Sequence, residues 1–218
     1  MYQFPQEPRK IRARIKRYER ELREELEAYG FIRDGYGKRY LLGPLYLLMD
    51  DLEGAREAFE WFEQNFPHDV GEPVHYLCWT LALYRSGDRE RAVDKLRQTM
   101  LSNLYLIPYL LGRDQEELDI WHGSNYEQKG FLQCVPPEIW ALWDTPALQW
   151  AEEAYDSPEF RRIRTRYIEI HEQLKSEPPG PRRSQLVDEA FSLQTTKLEI
   201  QYAADYDKLL RLHLRGLG

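Results

Sequence analysis

The sequence predicts an all-α protein, and three observations carry that prediction. Apolar residues recur at steps of three and four over 8–29 and again over 160–174, the period of a helix with one buried face. Two apolar stretches between Tyr40 and Pro67 meet at small residues, Gly43 and Ala55, and the arrangement returns 37 residues later around Ala92. The last segment, Ser184 to Leu214, has no internal Gly or Pro to break a long helix.

The first helix is placed at 8–29. Pro8 suits its first turn and Gly30 its end, and Ile11, Ile15, Tyr18, Leu22, Leu26 and Tyr29 form a narrow apolar stripe. Its first half is basic (Arg9, Lys10, Arg12, Arg14, Lys16, Arg17, Arg20) and its second half acidic (Glu21, Glu24, Glu25, Glu27). Positive charge near a helix N-terminus opposes the macrodipole, so this order does not serve local helix stability. Glu19 and Arg23 are spaced to pair along the helix. Gly30 to Lys38, with three glycines and Asp34, reads as a loop.

Helices follow at roughly 38–49, 52–66, 73–86 and 89–102, with a short one at 104–112. Asp50-Asp51 and Gly87-Asp88 mark the turns inside the two pairs, and Pro67 stops the second helix. Leu42-Gly43, Tyr46, Ala55, Phe59 and Pro67 fall on the template Leu-Gly-x2-Tyr, Ala-x3-Phe, Pro, and the region resembles a tetratricopeptide repeat. Ala92 and Leu96 take the places of Ala55 and Phe59 in a second, more degenerate copy, with Thr80 and Leu83 for the Gly and Tyr. Arg39 stands where the template usually has Trp, and Phe62 where it usually has a small residue. Tyr40-Leu41-Leu42-Gly43 recurs as Tyr109-Leu110-Leu111-Gly112, which marks the start of a third unit on this reading. The resemblance covers residues 38–112.

Residues 113–157 read as irregular and aromatic, with Trp121, Trp140, Trp143 and Trp150 among interrupting prolines. Thr145 is expected to cap a helix beginning at Pro146, with Trp143, Ala147, Trp150 and Ala154 on one face. The next helix is capped either by Asp156 with Glu159 or by Ser157 with Pro158 first; Phe160, Ile163, Tyr167, Ile170 and Leu174 are its stripe. The division is a domain over 1–175, a proline-rich linker over 176–183, and a long helix over 184–218 that packs on the repeats or on a second chain. Val187, Phe191, Leu198, Tyr202, Leu209 and Leu212 are the apolar side of that helix, and a homodimer through it is one expectation.

Composition narrows the function classes. With 42% hydrophobic and 13% aromatic residues the chain is not globally disordered. A net charge of −7 argues against a dedicated nucleic-acid binder. No apolar run is long enough for a membrane span, and the N-terminus reads as lacking a signal peptide. Cys78 and Cys134 sit in apolar contexts without a CxxC, as buried thiols of a reducing, cytoplasmic compartment would.

No residue pattern calls for a metal, a cofactor or a catalytic site. HExxH, zinc spacings, GxxxxGK[ST], GxGxxG after a strand and GxSxG are all missing. His171-Glu172, and His122 near Asp119, have the composition of general-base pairs, but surface or half-buried histidines are the expectation. Repeats of this family act as protein-binding scaffolds through the concave face of their first helices. The resemblance therefore implies partner contacts at Tyr40, Pro44 and Leu47, then at Leu77, Leu81, Tyr84 and Arg85. The Lys and Asn with which some members clamp a peptide carboxylate are missing here. An apolar face of this kind does not stay wet, so it is filled by the chain's own flanking helices or by an apolar partner segment. The function expected is a non-catalytic scaffold for a protein or peptide partner. The alternatives are nucleic-acid or ribonucleoprotein binding through Arg12, Arg14, Lys16 and Arg17, and an enzyme with a site among Trp121–Trp150.

Overall fold

The computed structural model describes residues 3–67, 69 and 71–194. Its helices are α1 (Pro8–Tyr29), α2 (Leu42–Leu47), α3 (Leu52–Asn65), α4 (Pro73–Arg85), α5 (Arg89–Ser102), α6 (Leu106–Leu110), α7 (Pro137–Ala141), α8 (Thr145–Tyr155), α9 (Pro158–Ser176) and α10 (Pro181–Gln194). Single 3-10 turns lie at Lys38–Tyr40 and Asn125–Glu127, and a longer 3-10 stretch at Lys129–Cys134. The protein is all-α: no strand occurs among the described residues.

Local chemistry sets most boundaries. Pro8 opens α1, and Gly30, in the left-handed region (φ 71°), closes it by donating its N–H to Leu26 O at 2.8 Å. The turns inside the two hairpins share one design. In the second, Gly87 (φ 84°) donates to Tyr84 O and Asp88 N–H to Leu83 O, both at 3.1 Å. In the first, Asp50 (φ 56°) donates to Leu47 O and Asp51 N–H to Tyr46 O, both at 3.0 Å. Asp51 and Asp88 then cap the following helix, accepting from Gly54 N at 2.9 Å and Arg91 N at 3.2 Å. One aspartate thus stands where the equivalent turn has a glycine.

Small residues set the closeness of α2 and α3. A Cβ on Gly43 would lie 2.3 Å from Phe59 Cζ, and one on Gly54 would lie 2.5 Å from Tyr46 Cδ1. Each helix therefore receives an aromatic ring from the other. α4 is the hub, in contact with α2, α3, α5 and α8. Its residues Pro73 to Leu83 are all buried. α9 and α10 pack together and cover the other side of α5. α1 lies on α2, and Ile11, Ile15 and Leu22 join Leu42, Leu45 and Ala58 in a second, smaller core.

Several expectations change. The 38–49 helix is a 3-10 turn followed by the short α2. Tyr109-Leu110-Leu111-Gly112 does not begin a unit. It ends α6, with Gly112 (φ 68°) donating to Tyr109 O and Arg113 N–H to Pro108 O, the same closing turn a third time. The cap of α8 is Asp144, which accepts from Ala147 N at 3.0 Å, and Thr145 is the first helical residue. Ser157, with Pro158 first, caps α9. The linker shrinks to 177–180, because α10 starts at Pro181. On α10 the buried side is Leu186 and Ala190, whereas Val187 and Phe191 are 43% and 58% exposed. Leu198, Tyr202, Leu209 and Leu212, and a dimer built on them, lie outside the described residues.

Candidate interaction surfaces

The face formed by α2 and α4 is occupied by the chain itself. Leu47, Leu77 and Leu81 are core residues, no more than 3% exposed, and Pro44 is buried. Tyr84 lays its ring on Trp150 of α8 at 4.7 Å, with the Arg89 guanidinium over it at 3.6 Å. Arg85 donates to Leu142 O at 2.6 Å, next to Asp144 at 3.7 Å. Tyr40 is tied inward as well. Its hydroxyl donates to Asp69 at 2.6 Å, and its carbonyl accepts from His75 Nδ1–H at 3.2 Å. Beside it Arg39 bridges Asp69 (2.8 Å) and the buried Asp34 (3.2 Å), locking the 34–40 turn onto the α3–α4 connection.

The tryptophans divide among separate contacts rather than forming a cage. Trp140 meets Tyr109 at 4.9 Å and Trp150 meets Tyr84, while Trp143 is buried in the main core. Trp121 and His171 clasp each other: Trp121 N–H donates to His171 O at 3.0 Å, and His171 Nδ1–H donates to Trp121 O at 2.9 Å. His171 is thus buried and structural rather than the surface or half-buried histidine expected, and Glu172 is exposed. Asp119 bonds Lys175. His75 is enclosed by Tyr40, Phe59, Phe62 and Trp79, and burial pushes its pKa down to about 3. Cys78 is fully buried and its thiol pKa is pushed up by burial; Cys134 is only half-buried. Among the described residues no group of three His, Cys, Asp or Glu is arranged to hold a metal. No helix among them is long and apolar enough to cross a membrane.

Two surfaces remain open. A cleft of about 340 Å³ runs between α1 and α3. Leu22, Leu42 and Ala58 are its buried floor, and Leu26, Ile32 and Trp61 its walls. Leu26 is 41% exposed; Tyr29 and Phe31, outside the cleft lining, are 55% and 54% exposed and carry the Arg33 guanidinium over their rings at 4.6 and 5.5 Å. Glu19, Glu57 and Arg23 stand at the cleft. The sequence marks Leu22, Leu26 and Tyr29 only as part of the apolar stripe of α1. That Ile32 and Trp61 join them needed the path of the 30–37 loop.

The other surface is basic. Arg12, Lys16 and Arg17 are exposed, and the half-buried Arg14 donates to Gln3 O. Glu19 accepts from Tyr46 hydroxyl, and the pairs along α1 are instead Arg17–Glu21 at 3.8 Å and Arg20–Glu24 at 3.7 Å. Comparison with protein-family models, with curated proteins and with solved structures returns no match.

Proposed function

We propose that this protein is an interaction scaffold of tetratricopeptide-like type that binds a helical segment of a partner protein in the α1–α3 cleft, without chemistry of its own. The observation that carries the reading is the apolar cleft floored by Leu22, Leu42 and Ala58 and walled by Leu26, Ile32 and Trp61, with Tyr29 and Phe31 exposed beyond it beneath the Arg33 guanidinium. Apolar surface of this kind, rimmed by charge, is what partner helices cover. The repeated hairpin turns support the scaffold half of the reading. The residues of the α2–α4 face expected to receive the partner are buried or bonded within the chain, Tyr84 against Trp150 of α8, so the reading takes the cleft as the binding surface.

The partner's chemistry follows from the rim. Glu19 and Glu57 stand at the cleft against Arg23 alone, and the exposed Glu53 and Glu27 lie on the same two helices, whereas Glu63 pairs with Arg91 and Lys95 of α5. The occupant is therefore an amphipathic helix with apolar residues at i, i+3, i+4 and i+7 and Lys or Arg beside them.

Selection from a library of helical peptides tests this. The peptides recovered should carry that pattern and should lose at least tenfold in affinity on Leu26→Glu, a change at a position already 41% exposed. Peptides without basic flanks, or indifferent to Leu26→Glu and Phe31→Ser, would contradict it.

A further inference from the structure

The first half of α1 carries seven cations between Arg9 and Arg20, and Glu19 is the single acid among them. Nothing in the helix accounts for that charge. The N-cap Glu7 makes no side-chain cap bond, the first turn holds no acid, and positive charge there works against the helix dipole. The helix is held instead by Ile11 and Ile15, each 4% exposed. Internal pairing absorbs only part of that charge. Lys10 bonds Glu7, Arg14 donates to Gln3 O, Arg17 shares Glu21 with Lys38, and Arg20 reaches Glu24 at 3.7 Å. Arg9, Arg12 and Lys16 have no ion pair among the described residues.

The basic side borders two adjoining clefts that share Arg14. One, of about 560 Å³, is lined by Phe4, Lys10, Arg14 and Arg17. The other, of about 690 Å³, sets Arg14 beside Tyr18, Tyr36, Tyr126 and Phe131, with Glu72 also on its wall. The rings are open: Tyr36 is 90% exposed and Tyr126 44%. Tyr126 stands edge-on to Phe131 (86°, 5.4 Å), which holds its ring in place, and its hydroxyl donates to Glu72 at 3.2 Å.

Cations followed by accessible aromatic rings meet both needs of an unpaired nucleic-acid strand: phosphates on Lys and Arg, bases on the rings. A duplex keeps its bases stacked and has no use for the tyrosines. An acidic peptide would use the cations alone. A lipid surface would need an apolar face to insert, and that face of α1 is buried against α2. We propose that the N-terminal half of α1 and the tyrosine cleft beside it form one site for single-stranded nucleic acid, with phosphates on Lys10, Arg14 and Arg17 and bases on Tyr36 and Tyr126. This site is distinct from the α1–α3 cleft and stands or falls separately.

The test is fluorescence anisotropy on the full chain with labelled oligouridylate and oligothymidylate of about twelve nucleotides. A duplex, an abasic strand and polyglutamate serve as comparisons. Single strands of one or both sugars should bind. Three phosphate contacts should give an affinity falling with salt at a logarithmic slope of about 2. Lys10→Glu with Arg17→Glu should weaken binding at least tenfold. Tyr36→Ala, at a position too exposed to affect folding, should weaken it several-fold and narrow the advantage over the abasic strand. Absence of binding at about 50 mM salt, equal binding of duplex or polyglutamate, or indifference to Tyr36→Ala would overturn the proposal. Leu26→Glu should leave this binding intact.

Discussion

Phe59 of α3 rests against the bare backbone of Gly43 in α2, so close that a Cβ there would lie 2.3 Å from its ring. The ring cannot step aside. It is 1% exposed and stacked on Trp79 of α4 at 5.4 Å with an interplanar angle of 5°. Gly43 therefore governs the first hairpin and, through Phe59, the seating of that hairpin on the hub helix.

Gly43→Ala should accordingly cost about 2–3 kcal/mol, the range of overpacking in a filled core. In thermal unfolding that is a fall of roughly 4–12 °C for a chain of this size. Gly54→Ala should cost less, although its Cβ would meet Tyr46 at 2.5 Å, because Tyr46 is only half-buried and can swing outward. Equal losses from the two changes would show that the Phe59 stack does not confine the ring.

The paired turns make a second comparison. Asp50 and Gly87 hold the same left-handed backbone, and Asp50 is exposed. Asp50→Gly should stabilise the fold by about 0.5–1 kcal/mol, and Gly87→Ala should destabilise it by about 1 kcal/mol. Denaturant titrations at constant m-value read both.

Arg39 should resist even conservative change. Arg39→Lys keeps the charge but cannot span Asp34 and Asp69 together, and Asp34 has a side chain with no exposure. A loss of about 1–2 kcal/mol is expected, together with faster amide exchange over 34–40. A neutral outcome would mean that the turn is held by its backbone bonds alone.

Stability should fall as acidity rises, in a window that His75 defines. Its native pKa lies at about 3 because burial disfavours the charged ring, whereas the unfolded chain protonates near 6.5. The groups facing it are Lys95, Asp69 and Arg39. Between those values the unfolded state holds the extra proton, so the contribution is complete above pH about 6.5 and declines below it by up to about 1.4 kcal/mol per pH unit. Asp156, held low by Arg113, and Glu189, held low by Arg166, lose stability in the same direction at lower pH. His75→Gln should flatten the part of the profile between pH about 6.5 and 4, and an unchanged slope would exclude His75 as its source.

The sequence made most helix ends legible because their causes are local. Pro8, Gly30, Asp51, Pro73, Asp88 and Pro158 act within one turn of where they sit. Long-range choices were not legible. α10 offers two apolar stripes, Leu186–Ala190 and Val187–Phe191, and packing against α9 and α5 selects the first. The echo of Tyr40–Gly43 at Tyr109–Gly112 misleads because Gly serves both close crossings and helix ends. The covering of Tyr84 depends on Trp150 of α8, far along the chain and separated from α4 by irregular segments. Of the open surfaces, the cations of α1 were plain in the sequence, but the tyrosines that join them come from positions 18, 36 and 126, which only folding unites.

The most direct test of the architecture is native-state hydrogen exchange resolved by helix. α4 is a hub in contact with α2, α3, α5 and α8, so its amides should exchange slowest and only through global unfolding, with the same free energy that denaturant titration gives. Amides of α4 that exchange through a lower-energy local opening, while α1 or α10 stay protected, would contradict it.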